Sequence, residues 1–207
     1  MRPVLVACGL LAMPLGVVSL AIAQPTCPPL PPPAGPTVEV YPAQASTLRD
    51  IVAAAASGTT ILLHDGVYAL DDGDFASRLS FLTPGVTLRS YSGDRDAVIL
   101  DGAYQTNELV SIHASDVTLA SLTLRQAYDH PIHVSGDPDP ITGVWIHDVR
   151  IVDPGQQAIK INPVGEGWVD DGIVRRRGHA VRGRLRDRVD LTLERARALK
   201  GARGKPV

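Results

Sequence analysis

From Val117 onward the apolar residues come in pairs, one residue apart. Val117, Leu119, Leu122 and Leu124 are followed, after a polar gap, by Ile132 and Val134. The same spacing returns further along, without a gap, as Val144, Ile146, Val149 and Ile151, then Ile159 and Ile161. An earlier copy of the last pair stands at Val110 and Ile112, a slightly shorter interval ahead of Ile132. Little else is shared. A Val-x-Leu pair puts two side chains on one face of a strand. Three pairs per repeat, separated by turns, predict three short strands per coil of a parallel β-solenoid. Inward residues stack coil on coil, while outward residues and turns are free to vary. The longer interval exceeds the shorter by the length of an inserted "DPDPI" (Asp137–Ile141), which falls where a loop belongs. A β-sandwich is the competing fold, but it needs hairpin signals, and Asn-Gly turns are absent.

Upstream, "STLRDIVAAAASG" (Ser46–Gly58) predicts a short helix. Ser46 or Thr47 would cap it, Leu48, Ile51, Val52 and Ala55 share a face, and Gly58 ends it. "TTILLHDGVYAL" reads as a strand with a turn at Asp65-Gly66, and "GVTLRSYS" and "DAVILDG" as two more strands.

Together, "TLRDIVAAAASGTTILLHDGVY", "VILDG" and "VTLASLTLRQAYDHPIHVSG" resemble bacterial right-handed parallel β-helix repeat proteins with the pectate-lyase-like fold. The resemblance covers Val38 to Ile173. It implies an all-β, right-handed parallel β-helix whose N-terminal helix caps the open end of the coil stack. The family includes polysaccharide lyases, glycoside hydrolases and epimerases, so the resemblance is specific for fold and poor for activity.

Charge divides the chain. Residues from Arg175 onward carry 12 Lys+Arg and 3 Asp+Glu, a balance of +9, against 8 and 19 in residues 1–174, a balance of −11. Residues 1–23 read as a signal peptide: Arg2, an apolar run from Val4 to Ile22, then the small-residue site "AIA". Gly9, Pro14 and Gly16 argue against a retained membrane span. The expected location is periplasmic or extracellular, and Cys27 would be the one cysteine left after cleavage, so no internal disulfide forms. Residues 24–37, half of them proline, are expected to form an extended linker, with a proline-rich recognition motif as the alternative. The β-helix is expected over 38–176 and a basic tail over 177–207, helical (Arg186–Lys200) or disordered.

Stacking the coils predicts outward ladders. Ser111, His133 and Lys160 fall in one, and His113, Ser135 and Asn162 in the next. The turns ahead of them supply Tyr128, Asp129 and His130, then Asp153, Gln156 and Gln157. Neighbouring rungs lie about 4.8 Å apart, so these side chains meet. A lyase acting on uronate sugars needs a base, an acid and a cation or metal to neutralise the carboxylate. Lys160 or His133 is the candidate base. Asp129 and Asp153 are candidate Ca²⁺ ligands, or the carboxylate pair of a hydrolase. The competing reading is that these polar groups only satisfy turns and each other. The acidic loops Leu70–Phe75 and Gly136–Pro140 lack the full ligand spacing of a known Ca²⁺ loop. His64, His147 and His179 stand apart from the cluster in the sequence, and Trp145 is placed outward.

The expected function is therefore an exported protein that acts on or binds polysaccharide, as a lyase or hydrolase if it is an enzyme. The alternatives are a non-catalytic surface scaffold or an inactive fragment of a larger β-helix, and a complete chain would be a monomer. Nucleic acid is excluded by export and by a basic segment without aromatic residues. Arg supplies most of the basic charge after Val174, as a GC-rich gene read in a shifted frame would give. A different reading frame past "DDGIV" is then expected to encode further coils.

Overall fold

Short strands cannot stand alone in water, and each Val-x-Leu pair needs a neighbour above and below. A computed structural model describes residues 29–136, 139–162, 169–176 and 179–185. They form a parallel β-solenoid of about five turns. The first coil holds β1 (Thr37–Val40), a 3-10 turn over Pro42–Thr47 and helix α1 (Leu48–Ala53). The second holds β2 (Thr60–Leu63), β3 (Gly66–Ala69) and β4 (Leu79–Phe81). The third holds β5 (Thr87–Ser90), β6 (Val98–Asp101) and β7 (Glu108–Ile112). The fourth holds β8 (Thr118–Ala120), β9 (Thr123–Arg125) and β10 (His130–Ser135). After the short β11 (Ile141–Thr142), the fifth holds β12 (Trp145–His147), β13 (Arg150–Val152) and β14 (Ile159–Asn162). The chain continues into β15 (Val169–Arg176) and β16 (His179–Leu185).

The coils stack into three sheets. The first runs β1-β2-β5-β8-β12-β15, the second β3-β6-β9-β13 and the third β4-β7-β10-β14. The expected register holds: Ile132 faces Val110 on one side and Ile159 on the other, Leu119 faces Ile146, and Leu124 faces Ile151. Inward residues form continuous apolar ladders. Ile61, Leu88, Leu119 and Ile146 line the first sheet, and Leu79, Val110, Ile132 and Ile159 the third. Tyr68 stands in the second-sheet ladder, fully buried, with its hydroxyl 2.7 Å from the Val40 carbonyl and 2.8 Å from that of His64. Burial pushes its phenol well above the usual range.

The first coil shows why a helix is needed. It has a strand in the first sheet only. The 3-10 turn packs against β3 and α1 against β4, in the places that second- and third-sheet strands would take. Leu48 and Val52 point into the same core as Val40 and Leu63 and close the end of the stack. The helical segment begins earlier than the sequence pattern suggests and ends at Ala53, short of the predicted stop at Gly58. Thr47 makes no side-chain cap; its hydroxyl donates to the Gln44 carbonyl at 3.0 Å. Gly58, at φ +77°, then reverses the chain.

Corners repeat as faithfully as strands. Ser121 and Asp148, one coil apart, have φ +53° and +50° at the bend from the first sheet to the second. Gln126 and Asp153 have φ +55° and +47° at the bend that follows. Short polar residues such as Ser and Asp tolerate the left-handed region better than β-branched ones do, which suits them to these corners. At the other end of the stack, β16 pairs antiparallel with β15, so the parallel progression stops there. Residues 179–185, placed in the basic tail by their charge, are thus a strand; the helix expected over 186–200 lies outside the described residues. Residues 1–23, expected to be a signal peptide, also lie outside them. Among the described residues no helix is long and apolar enough to cross a membrane.

Two substitutions test the stack. Ile159 is 5% exposed. Ile159→Asp buries a carboxylate without a partner, at a cost of several kcal/mol, and is expected to abolish soluble folded protein; an unchanged far-ultraviolet spectrum would disprove the register. Gly155 passes so close to the Tyr128 carbonyl oxygen that an added Cβ overlaps it. Gly155→Ala should therefore lower the urea midpoint clearly, whereas Gly73→Ala, where a Cβ meets nothing within 4 Å, should strain only its own loop.

Candidate functional site

The outer face of the third sheet carries the polar ladder. Ser80, Ser111, His133 and Lys160 stand in register on β4, β7, β10 and β14. Ser135 and Asn162 are in register beside them, and His113 follows β7. The predicted neighbours His133 and Lys160 are thus brought together by the backbone. Ser111 is more enclosed than an exposed ladder implies: it is 1% exposed, and its hydroxyl lies 2.7 Å from His113 Nε2.

The centre of the cluster is a residue that the sequence pattern does not single out. Glu108 opens β7 and is 4% exposed. His133 Nδ1 lies 2.9 Å from its Oε1, and Arg78 Nη1 donates to its Oε2 at 2.9 Å. Burial alone would push this carboxyl up. The hydrogen bond and charge of His133, with the nearby charges of Arg78 and His130, outweigh burial and hold it below the usual carboxylate range. Strict alternation counts Glu108 with Val110 and Ile112 on the inward side. It sits where the chain turns into the strand, and there the side chain reaches the outer row. A buried position at a strand start, paired with an arginine from the preceding coil, leaves no readable signal in one sequence.

His130, expected in the turn ahead of the ladder, instead opens β10. It pairs in register with Glu108, is 5% exposed, and its ring lies 6.4 Å from that of His133, edge-on. Burial, followed by the positive charge of Lys160, holds this imidazole below its usual range, against the opposing pull of Asp129 and Glu108. Burial thus favours the neutral form of the His130 ring. Its Nδ1 and the Oε1 of Gln157 are buried without a hydrogen-bond partner among the described residues.

The two candidate aspartates part company. Asp129 lies directly ahead of β10 and accepts from Gln156 Nε2 at 2.6 Å. Asp153 is exposed at the corner after β13, level with Gln126 rather than with Asp129. No group of three or more His, Cys, Asp or Glu that could hold a metal ion occurs among the described residues. In the acidic loop at 70–75, Asp72 is paired with Arg49 at 2.5 Å. The aspartates Asp72 and Asp74 also accept from the loop's own amides.

Other single residues resolve into local structure. His64 is stacked between Tyr41 and Tyr91, at 4.0 and 4.3 Å between ring centroids, and lies 2.9 Å from Glu39 Oε2. Trp145 is half-buried rather than open to solvent and meets His147 edge-on at 5.1 Å.

Comparison with protein-family models, with curated proteins and with solved structures finds no match to this chain. The chemistry must therefore be argued from the cluster itself. It combines a buried carboxylate shared by an imidazole and a guanidinium, a second, buried imidazole, and an amine one coil away. Such a group can orient a base, hold a negative charge and pass a proton.

The two shifted groups set the pH dependence of stability. The folded value of Glu108 lies below its unfolded value of about 4.3, so its contribution is complete above that pH and is lost as pH falls through the folded value. The folded value of His130 lies below about 6.5, so the unfolded chain takes up a proton first and stability falls as pH drops from there towards the folded value. Urea midpoints from pH 8 to pH 3 should decline in two stages. His130→Asn should remove the upper stage. Glu108→Gln should flatten the lower one and cost roughly 1–3 kcal/mol at pH 7. A wild-type midpoint that is flat across pH 5–7 would contradict the placement of His130.

Proposed function

We propose that this protein is exported to the periplasm or cell exterior and acts on or binds a polysaccharide through the outer face of its third sheet. The observation that carries this reading is the Glu108–His133 pair, 2.9 Å apart, with Lys160 one coil away. The resemblance of the repeat to pectate-lyase-like proteins supports it, as does the signal-like N-terminus. In a lyase-type reaction His133, oriented by Glu108, is the base that removes the proton beside the sugar carboxylate; the electron pair forms the C=C bond as the glycosidic C–O bond breaks, and the leaving oxygen takes its proton from water. Lys160 and Arg78 offset the carboxylate's charge. Asp129, held by Gln156, contacts sugar hydroxyls at the edge of the same face. Asp153 has no part in this arrangement.

A second reading is favoured by how fully Glu108 is engaged. A carboxylate that satisfies Arg78 and His133 at once, at 4% exposure, also suits a plain structural clamp in a non-catalytic scaffold. Incubation with pectate, alginate and glycosaminoglycans, with and without added Ca²⁺, separates the two. The lyase reading expects an unsaturated product, seen by ultraviolet absorbance, on at least one polymer. His133→Ala should then lower kcat by about 10²–10⁴-fold while leaving the far-ultraviolet spectrum unchanged. No turnover on any polymer would leave the scaffold reading.

A further inference from the structure

The proline-rich segment lies against the solenoid instead of trailing from it. Thr60 N donates to the Pro36 carbonyl at 2.8 Å. Arg89, on β5, donates through Nη1 to the Pro31 carbonyl at 2.7 Å and through Nη2 to that of Leu30 at 3.4 Å. Between these points Gly35 passes so near Gly58 that an added Cβ would lie 2.5 Å from its carbonyl oxygen. Arg89 is half-buried, and burial holds its guanidinium below the usual range, as expected of a covered cation.

We infer that the outer face of the first sheet, from Gly58 and Thr60 to Arg89, is a docking surface for a polyproline-type segment, occupied by residues 30–36 of this same chain. All three hydrogen bonds run one way, from a solenoid donor to a strap carbonyl. That is the chemistry a proline-rich strand requires, because it offers acceptors but few N–H donors and keeps its backbone carbonyls turned outward. The forked guanidinium suits two successive carbonyls. The dimensions agree. Five extended residues, from Pro36 to Pro31, span about 15 Å. Thr60 to Arg89 is one coil, about 4.8 Å, and two residues along the strand, about 6.6 Å; the arginine side chain covers the remainder. The row of Tyr41, His64 and Tyr91 stands two positions beyond Glu39 and Arg89, and an aromatic-lined surface is what proline-rich ligands choose. At Leu30 and Pro31 the strap thus lies on the flank of the third coil, on a different sheet from the Glu108 cluster.

The test uses the full chain in a Cys8→Ser, Cys27→Ser background, with a nitroxide attached at Ala34→Cys. The expected spectrum is that of a slowly moving label. Arg89→Ala should convert it to the narrow lines of a free peptide, and Arg89→Lys, a single point charge, should do so in part. Gly35→Ala adds the Cβ on the strap and leaves the solenoid untouched, so it should also release the label with the far-ultraviolet spectrum unchanged. Fast motion with Arg89 and Gly35 intact would overturn the proposal. So would a spectrum that neither Arg89→Ala nor Gly35→Ala alters.

Discussion

Every coil depends on the same contact: an inward aliphatic side chain resting on its counterpart about 4.8 Å away in the next coil. Val110, Ile132 and Ile159 show it most plainly, each buried and each in register with the next. A single coil has a thin apolar interior and cannot hold it from water, so stability grows by stacking. The backbone hydrogen bonds of a parallel ladder only close when the register is kept, which locks each apolar residue over its partner. The end of the stack must then be covered. At the first coil α1 performs that service, with Leu48 and Val52 standing where strand residues would otherwise be.

The same spacing that makes the core regular forces outward residues into contact, whatever they are. Where they are polar, stacking sets their chemistry. His133 and Lys160 are neighbours only because Ile132 and Ile159 are. Glu108, at a strand entrance, becomes the shared acceptor of a histidine from the following coil and an arginine from the preceding one. Arg95–Asp148 and Arg150–Asp96, at 2.9 and 3.0 Å, show charges being paired between coils on the second sheet too. Pairing charges between coils is therefore an ordinary habit of this scaffold. What sets the third-sheet cluster apart is depth: Glu108 and His130 are almost fully buried, and both are shifted by their surroundings.

Corners and loops take up the variation. The left-handed residues Ser121, Gln126, Asp148 and Asp153 recur at equivalent bends although their identities change. Along the third sheet the register steps from Leu79 to Val110, from Val110 to Ile132 and from Ile132 to Ile159, three intervals of unequal length. Loop length costs little free energy per added residue, so insertions are absorbed there while the ladders stay intact.

What the sequence alone determined is the part governed by a short-range rule. Period-two alternation and a repeated offset placed Ile132, Val134, Ile159 and Ile161 in register, and with them His133 beside Lys160, because an inward aliphatic has only one place to go. What only the tertiary structure decided is the part governed by partners far apart in the chain. The engagement of Glu108 by Arg78 and His133, the burial of His130 and the grip of Arg89 on Pro31 all lack a repeat spacing. The offset that carries Ile132 to Ile159 also carries Asp129 to Gln156 and Gln126 to Asp153, and the structure adds that Gln156 donates to Asp129. A polar side chain can choose among several donors within reach, and that choice is made by how the chain bends around it, not by the alternation that carried it there.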